Sequence, residues 1–118
     1  MGRVIIAIVD DMFFASKIRA VAAAVGSEIS FPRSLEALVQ KAREERPHLI
    51  IVDLHNQKIE PAALAGELKA DEELREIPIL GFFSHLQTEL QRNALAAGFD
   101  QVIPRSVFAR DLPKILSV

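Results

Sequence analysis

Cysteine is absent from this chain of 118 residues, which excludes a disulfide scaffold, a thiol nucleophile and a cysteine-bound zinc. Basic excess is absent too: 14 Lys and Arg against 16 Asp and Glu leave a formal net charge of −2. A nucleic-acid surface needs a basic stripe, so no nucleic-acid partner is expected. No apolar run approaches the length that crosses a bilayer, and the short run after Arg3 cannot serve as a signal sequence. No membrane partner is expected, and the expected location is the cytoplasm. Repeats and low-complexity segments are also missing. What remains is ordinary for a soluble globular protein, half hydrophobic and one-quarter charged. Its length suits one domain, 1–118, with a real core and no second, DNA-binding domain.

Leu49-Ile50-Ile51-Val52 is an apolar run ended abruptly by Asp53, the pattern of a strand buried on both faces in a parallel sheet. Val4 to Val9 repeats the pattern and ends in Asp10-Asp11. Ile77 to Phe83 reads as a fourth strand with Ser84 and His85 at its exit, and Val102-Ile103 as a fifth followed by Pro104-Arg105-Ser106. Glu28 to Phe31 alternates polar and apolar, as a half-exposed edge strand does. Between them, apolar residues at helical spacing mark helices. The first runs from Phe14 to a stop at Gly26; the second opens on the N-cap Ser34. The third has Pro61 in its first turn, the fourth extends from Leu86 to Gly98, and the last is interrupted by Pro113.

Five strands alternating with five helices through right-handed crossovers predict an α/β fold, a doubly wound three-layer domain of the flavodoxin-like kind. The parallel sheet of order 2-1-3-4-5 puts the alternating strand at an edge and the most buried strands inside. The switch point then lies between strands one and three, so Asp10, Asp11 and Asp53 converge there. Two carboxylates about 5 Å apart repel by roughly 3 kcal/mol at an effective dielectric of 20. Retained protons or a divalent cation relieve this. Oxygen-only ligands suit Mg²⁺ or Mn²⁺ rather than zinc, and such an ion recruits phosphoryl oxygens. Asp53 is then a metal ligand or a nucleophile. Ser84 supplies a hydroxyl and Arg105 a cation at the neighbouring exits.

With these residues in these places the chain resembles the receiver domain of bacterial response regulators over nearly its whole length. The resemblance implies that Asp53 accepts a phosphoryl group from a histidine kinase or phosphotransfer protein. It implies Mg²⁺ on Asp10, Asp11 and Asp53 with the main-chain carbonyl of His55, and phosphoryl binding by Ser84 and Arg105. It further implies output by protein contact through the face of the fourth helix, fifth strand and fifth helix, where Gln87, Glu89, Gln91, Arg92 and Arg110 stand. Four departures accompany it. Arg105 replaces a lysine and Ser106 the proline after it, an exchange that is not conservative at a phosphate site. Counting along the fourth strand puts Phe83 where a hydroxyl belongs, unless a bulge near Gly81 brings Ser84 into place. Val102 replaces an aromatic residue of the fifth strand. The loop after Asp53 lacks the usual Pro and Gly.

Other readings use the same residues. A pseudo-receiver keeps the fold as an unphosphorylated interaction or homodimerisation module. A small metal-dependent phosphoryl-transfer enzyme needs a pocket and lid that short loops hardly provide. Asp10-Asp11 can also be a helix cap, Ser84 a cap for the fourth helix, and Arg105 a neutralising partner for the acids. His55 and His85 flank Asp53, but their spacing matches no metal motif, and His48 lies at the opposite edge. Ser84-His85 lacks the elbow of a serine hydrolase. Met12 and Phe13 beside the acids suit an exposed contact surface.

Overall fold

The computed structural model describes residues 3–84 and 88–117. Five strands, β1 (Val4–Ile8), β2 (Glu28–Ser30), β3 (Leu49–Asp53), β4 (Ile79–Phe83) and β5 (Gln101–Pro104), form one sheet. All neighbours pair in parallel, in the order β2-β1-β3-β4-β5. β3 and β4 are buried at every residue, whereas β2 is exposed or half-buried throughout. The apolar runs thus became interior strands and the alternating segment became the edge, as burial on two faces or one requires.

Side chains leave a strand alternately to either face, and here each face has its own core. Ile6, Ile8, Ile50 and Val52 pack with Leu38, Leu64, Leu68 and Phe99. These come largely from α2 (Leu35–Glu45) and α3 (Pro61–Ala70), with α4 (Thr88–Ala97) adding Ala94. Ile5, Ala7, Ile51 and Phe82 pack on the other face with Phe14 and Ile18 of α1 (Met12–Ala24). Phe108 of α5 (Arg105–Arg110) and Leu112 and Leu116 of α6 (Leu112–Ser117) complete that layer.

Local signals account for most element ends. Asp11 caps α1 and Ser34 caps α2, each accepting backbone N–H groups of the first turn. Gly26 follows α1 with a φ of 78°, the left-handed conformation that glycine adopts at no steric cost. Pro61 opens α3, and Glu60 caps it through the Ala63 N–H. Two expectations need correction. The last helix is two segments: α5 stops at Asp111, and Pro113 sits in the first turn of α6, where its missing N–H is harmless. The bulge near Gly81 is not there. β4 runs in uninterrupted register with β3 and with β5. Gly81 serves close packing instead, since a Cβ would lie 2.9 Å from the Phe99 ring and 3.0 Å from Leu54.

Candidate functional site

At the carboxyl edge of the sheet, Asp53 is the last residue of β3 and is only 9% exposed. One of its oxygens accepts the His55 N–H at 2.9 Å. Burial pushes its carboxyl group above the ordinary carboxylate range. The His55 N–H and the positive charges of His55 and Arg105 act against that rise, and Asp10 adds to it. Asn56, the other buried polar residue among those described, builds the loop that follows. Its side-chain amide donates to the Asp53 carbonyl at 2.8 Å, and its oxygen accepts the Lys58 and Ile59 N–H groups. A short polar residue folding a loop onto its own backbone is a signal that the sequence carries.

Each of the other two acids already has partners. Asp10 Oδ2 accepts the Gln57 N–H at 2.6 Å, which ties the β1 exit to the loop after β3. Its Oδ1 is buried without a hydrogen bond, and the Lys58 ammonium stands 3.7 Å away. Asp11 Oδ1 accepts the N–H groups of Phe13 and Phe14, while Oδ2 pairs with Arg105 Nη2 at 3.2 Å. These donors, the Phe14 N–H foremost and Arg105 next, hold the Asp11 carboxyl below its ordinary pKa. The Arg105 guanidinium also lies over the Phe14 ring, 3.9 Å from its centroid. Asp11 is therefore a helix cap and Arg105 its ion-pair partner, and both of these local roles are real.

Among the described residues no group of three or more acidic or histidine side chains is arranged to hold a metal ion. Like charges have turned to separate donors, as repulsion favours. The donor set nevertheless fits a hard divalent cation. Asp10 Oδ1 is buried and unbonded, Asp53 is beside it across the β1–β3 pair, and the His55 carbonyl accepts a long contact, 3.4 Å, from Gln57 Nε2. Asp11, with both oxygens engaged, is the least available of the four.

At the other two exits, the uninterrupted register pairs Phe83 with Pro104 as the last residues of β4 and β5. Ser84 and Arg105 come one position later, Ser84 exposed in a bend and Arg105 as the first residue of α5. Phe83 turns into the core, 7% exposed, so no hydroxyl occupies the strand end. His85, Leu86 and Gln87 lie outside the described residues, and with them the His85 metal reading and the N-terminal boundary of the fourth helix. His48 is an exposed residue at the opposite edge, whose ring accepts the Val4 N–H. Met12 and Phe13 are 75% and 90% exposed beside the acids.

No protein-family model matches the chain, and no curated protein matches its sequence. Solved structures match its fold throughout. The chemotaxis response regulator CheY4 of Vibrio cholerae superposes with a TM-score of 0.82 at 16% identity, over 98% of this chain and 97% of that one. A signal receiver domain of a histidine kinase from Syntrophus aciditrophicus gives 0.79 at 23% identity, over 98% and 90%. The receiver domain of the sensor histidine kinase PA1611 from Pseudomonas aeruginosa, with a magnesium ion in its active site cleft, gives 0.78 at 20%, over 97% of both chains. The fold is that of the receiver domains of two-component signalling. No helix among the described residues is long and apolar enough to cross a membrane.

Proposed function

We propose that the chain, 1–118, is a cytoplasmic receiver domain of a phosphorelay, with Asp53 as the phosphoryl acceptor. The observation that carries this reading is the buried Asp53 at the exit of the central strand, flanked by the acids of the β1 exit, on a receiver fold. A carboxylate held above its ordinary pKa by burial is a stronger base and nucleophile than a solvated one. Its oxygen attacks the phosphorus of a phosphohistidine on a histidine kinase or phosphotransfer protein. The phosphorus–nitrogen bond breaks, the imidazole leaves, and an aspartyl phosphate is formed. Asp10, Asp53 and the His55 carbonyl, with Asp11, are the oxygens that would hold Mg²⁺ or Mn²⁺. That ion supplies charge neutralisation for the incoming phosphoryl oxygens. Arg105 adds positive potential at Asp53, and Ser84 a hydroxyl at the rim.

Output then proceeds by protein contact, with a downstream partner or a second copy of the chain, through the face of α4, β5 and α5. Glu89, Arg92 and Arg110 are exposed there, Gln91 is half-buried, and Gln87 lies outside the described residues.

A second reading, the unphosphorylated pseudo-receiver, is favoured by one specific arrangement. Lys58 and Arg105 already stand against Asp10 and Asp11, and Phe83 fills the strand end in place of a hydroxyl. Intact-protein mass spectrometry after incubation with Mg²⁺ and a small acyl phosphate separates the two. One added phosphoryl group in the wild type and none in Asp53→Ala is the expected result. No adduct with any of several phosphodonors and metals would overturn the phosphoryl acceptor and favour the pseudo-receiver.

A further inference from the structure

Three cations and no acid line one cavity of about 310 Å³ on the flank of α1, in a chain whose net charge is −2. Arg19 reaches it from α1, Arg33 from the connection between β2 and α2, and Lys58 from the loop after β3. Val9, Met12 and Phe31 supply apolar wall. Among the described residues neither arginine forms an ion pair or a side-chain hydrogen bond. Arg19 is held in place by the Phe31 ring, its guanidinium 4.8 Å from the ring centroid. The Lys58 ammonium has the 3.7 Å contact with Asp10, and its side chain is 41% exposed. A weak exposed pair of that kind costs little to open.

We infer that this cavity binds a small dianion, a phosphate group or paired carboxylates, carrying an apolar portion that rests on Met12 and Phe31. Unpaired guanidinium groups offer rigid forks of donors that match both kinds of oxyanion. Apolar walls exclude water and strengthen each contact. The volume lies at the small end of ligand pockets, which suits a small molecule rather than a peptide or a nucleic acid. Neither Asp53 nor Arg105 lines the site, and Lys58 is its link to the acids, through Asp10; the two arginines do not depend on whether Asp53 is phosphorylated.

The test uses isotope-labelled full-length protein without divalent metal, titrated with inorganic phosphate and, separately, with succinate at constant ionic strength. Saturable amide shifts clustered at Met12, Phe31, Arg33 and Lys58 are expected for at least one of the two. The one that binds identifies the oxyanion. Each of Arg19→Ala and Arg33→Ala should weaken that binding about tenfold, the worth of one hydrogen bond to a charged group. Lys17→Ala, on the same helix but outside the cavity, should leave it unchanged, as should Asp53→Ala. Retained binding in Asp53→Ala together with no mass adduct in the wild type would keep this site and discard the phosphoryl acceptor. Shifts reproduced by sodium chloride, or unaltered by both arginine substitutions, would overturn the inference.

Discussion

At the exits of β1 and β3 the acids converge on the switch point, whereas at the exit of β4 a core phenylalanine closes the strand and the hydroxyl follows one position later. Asp53 closes β3, and Asp10 reaches the loop beyond it through Gln57. Phe83 and Pro104 close the other two strands, and Ser84 and Arg105 follow. The acid half is fixed by a central strand buried on both faces, with no freedom to slide. In the other half the last position of β4 is given to the core: Phe83 packs on the α2–α4 face, and Phe82 on the α1–α5 face. The acids and the hydroxyl are thus placed by different constraints, the register of a buried strand for Asp53 and the core packing of Phe83 for Ser84.

If aromatic packing fixes the strand end at β4, removing the central ring of that layer should do the most damage. Phe108 is fully buried, stacked on Phe82 at 4.6 Å and edge-on to Phe14 at 5.9 Å. Phe108→Ala should lower unfolding free energy by about 3–5 kcal/mol, read from urea denaturation. A loss under about 1 kcal/mol would mean that the site collapses readily and that the rings do not set the strand end.

Gly81→Ala comes next and bears on the register itself. The added methyl meets the Phe99 ring and Leu54, and overpacking of this kind costs about 1–3 kcal/mol. An unchanged urea midpoint would instead reveal a strand free to bulge there, which would bring Ser84 into the place that Phe83 occupies.

The difference between the halves also marks what could be read in advance. Strand order, the edge strand and the junction of the acids follow from runs such as Leu49 to Asp53, because burial on two faces leaves a pattern in sequence. Ser84 against Phe83 could not be decided by counting, since one residue of slip exchanges them and only the pairing of β4 with both its neighbours excludes the bulge. The partners of the acids were likewise hidden. Gln57 and Lys58 meet Asp10 across nearly half the chain, and nothing local in either segment announces the other. Asp11 as a cap and Arg105 as a neutralising partner for the acids were both legible; that Arg105 pairs with Asp11 rather than with Asp10 was not.

Within the acid half, Asp53 should act against stability. Its carboxyl is raised above 3.8 mainly by burial. Below that pH both folded and unfolded chains hold the proton and the group contributes nothing. As pH rises through 3.8 and on to the folded value, the unfolded chain releases its proton first and stability is lost. Asp53→Asn keeps an oxygen for the His55 N–H and removes the charge. Metal-free thermal melts should therefore show a higher Tm than wild type at neutral pH, with the gap closing as pH falls below 3.8. An equal Tm at both ends would remove burial of charge from the account of this site.

Asp11 carries the smallest effect and the opposite sign, and it joins the two halves. The Phe14 N–H and Arg105 hold its pKa down, so its contribution is present above 3.8 and is lost as pH falls through the folded value. Asp11→Asn keeps an oxygen that can cap α1 but removes the charge facing Arg105; Asp11→Ala removes both. At neutral pH the expected order of Tm is wild type, then Asn, then Ala. Added salt should narrow the first gap, since an exposed ion pair is screened, and leave the second, which rests on backbone hydrogen bonds. If Asn and Ala melt together, the cap contributes nothing measurable and Asp11 belongs to Arg105. If Asn melts with the wild type, the ion pair is idle, and the Arg105 guanidinium is held by the Phe14 ring alone.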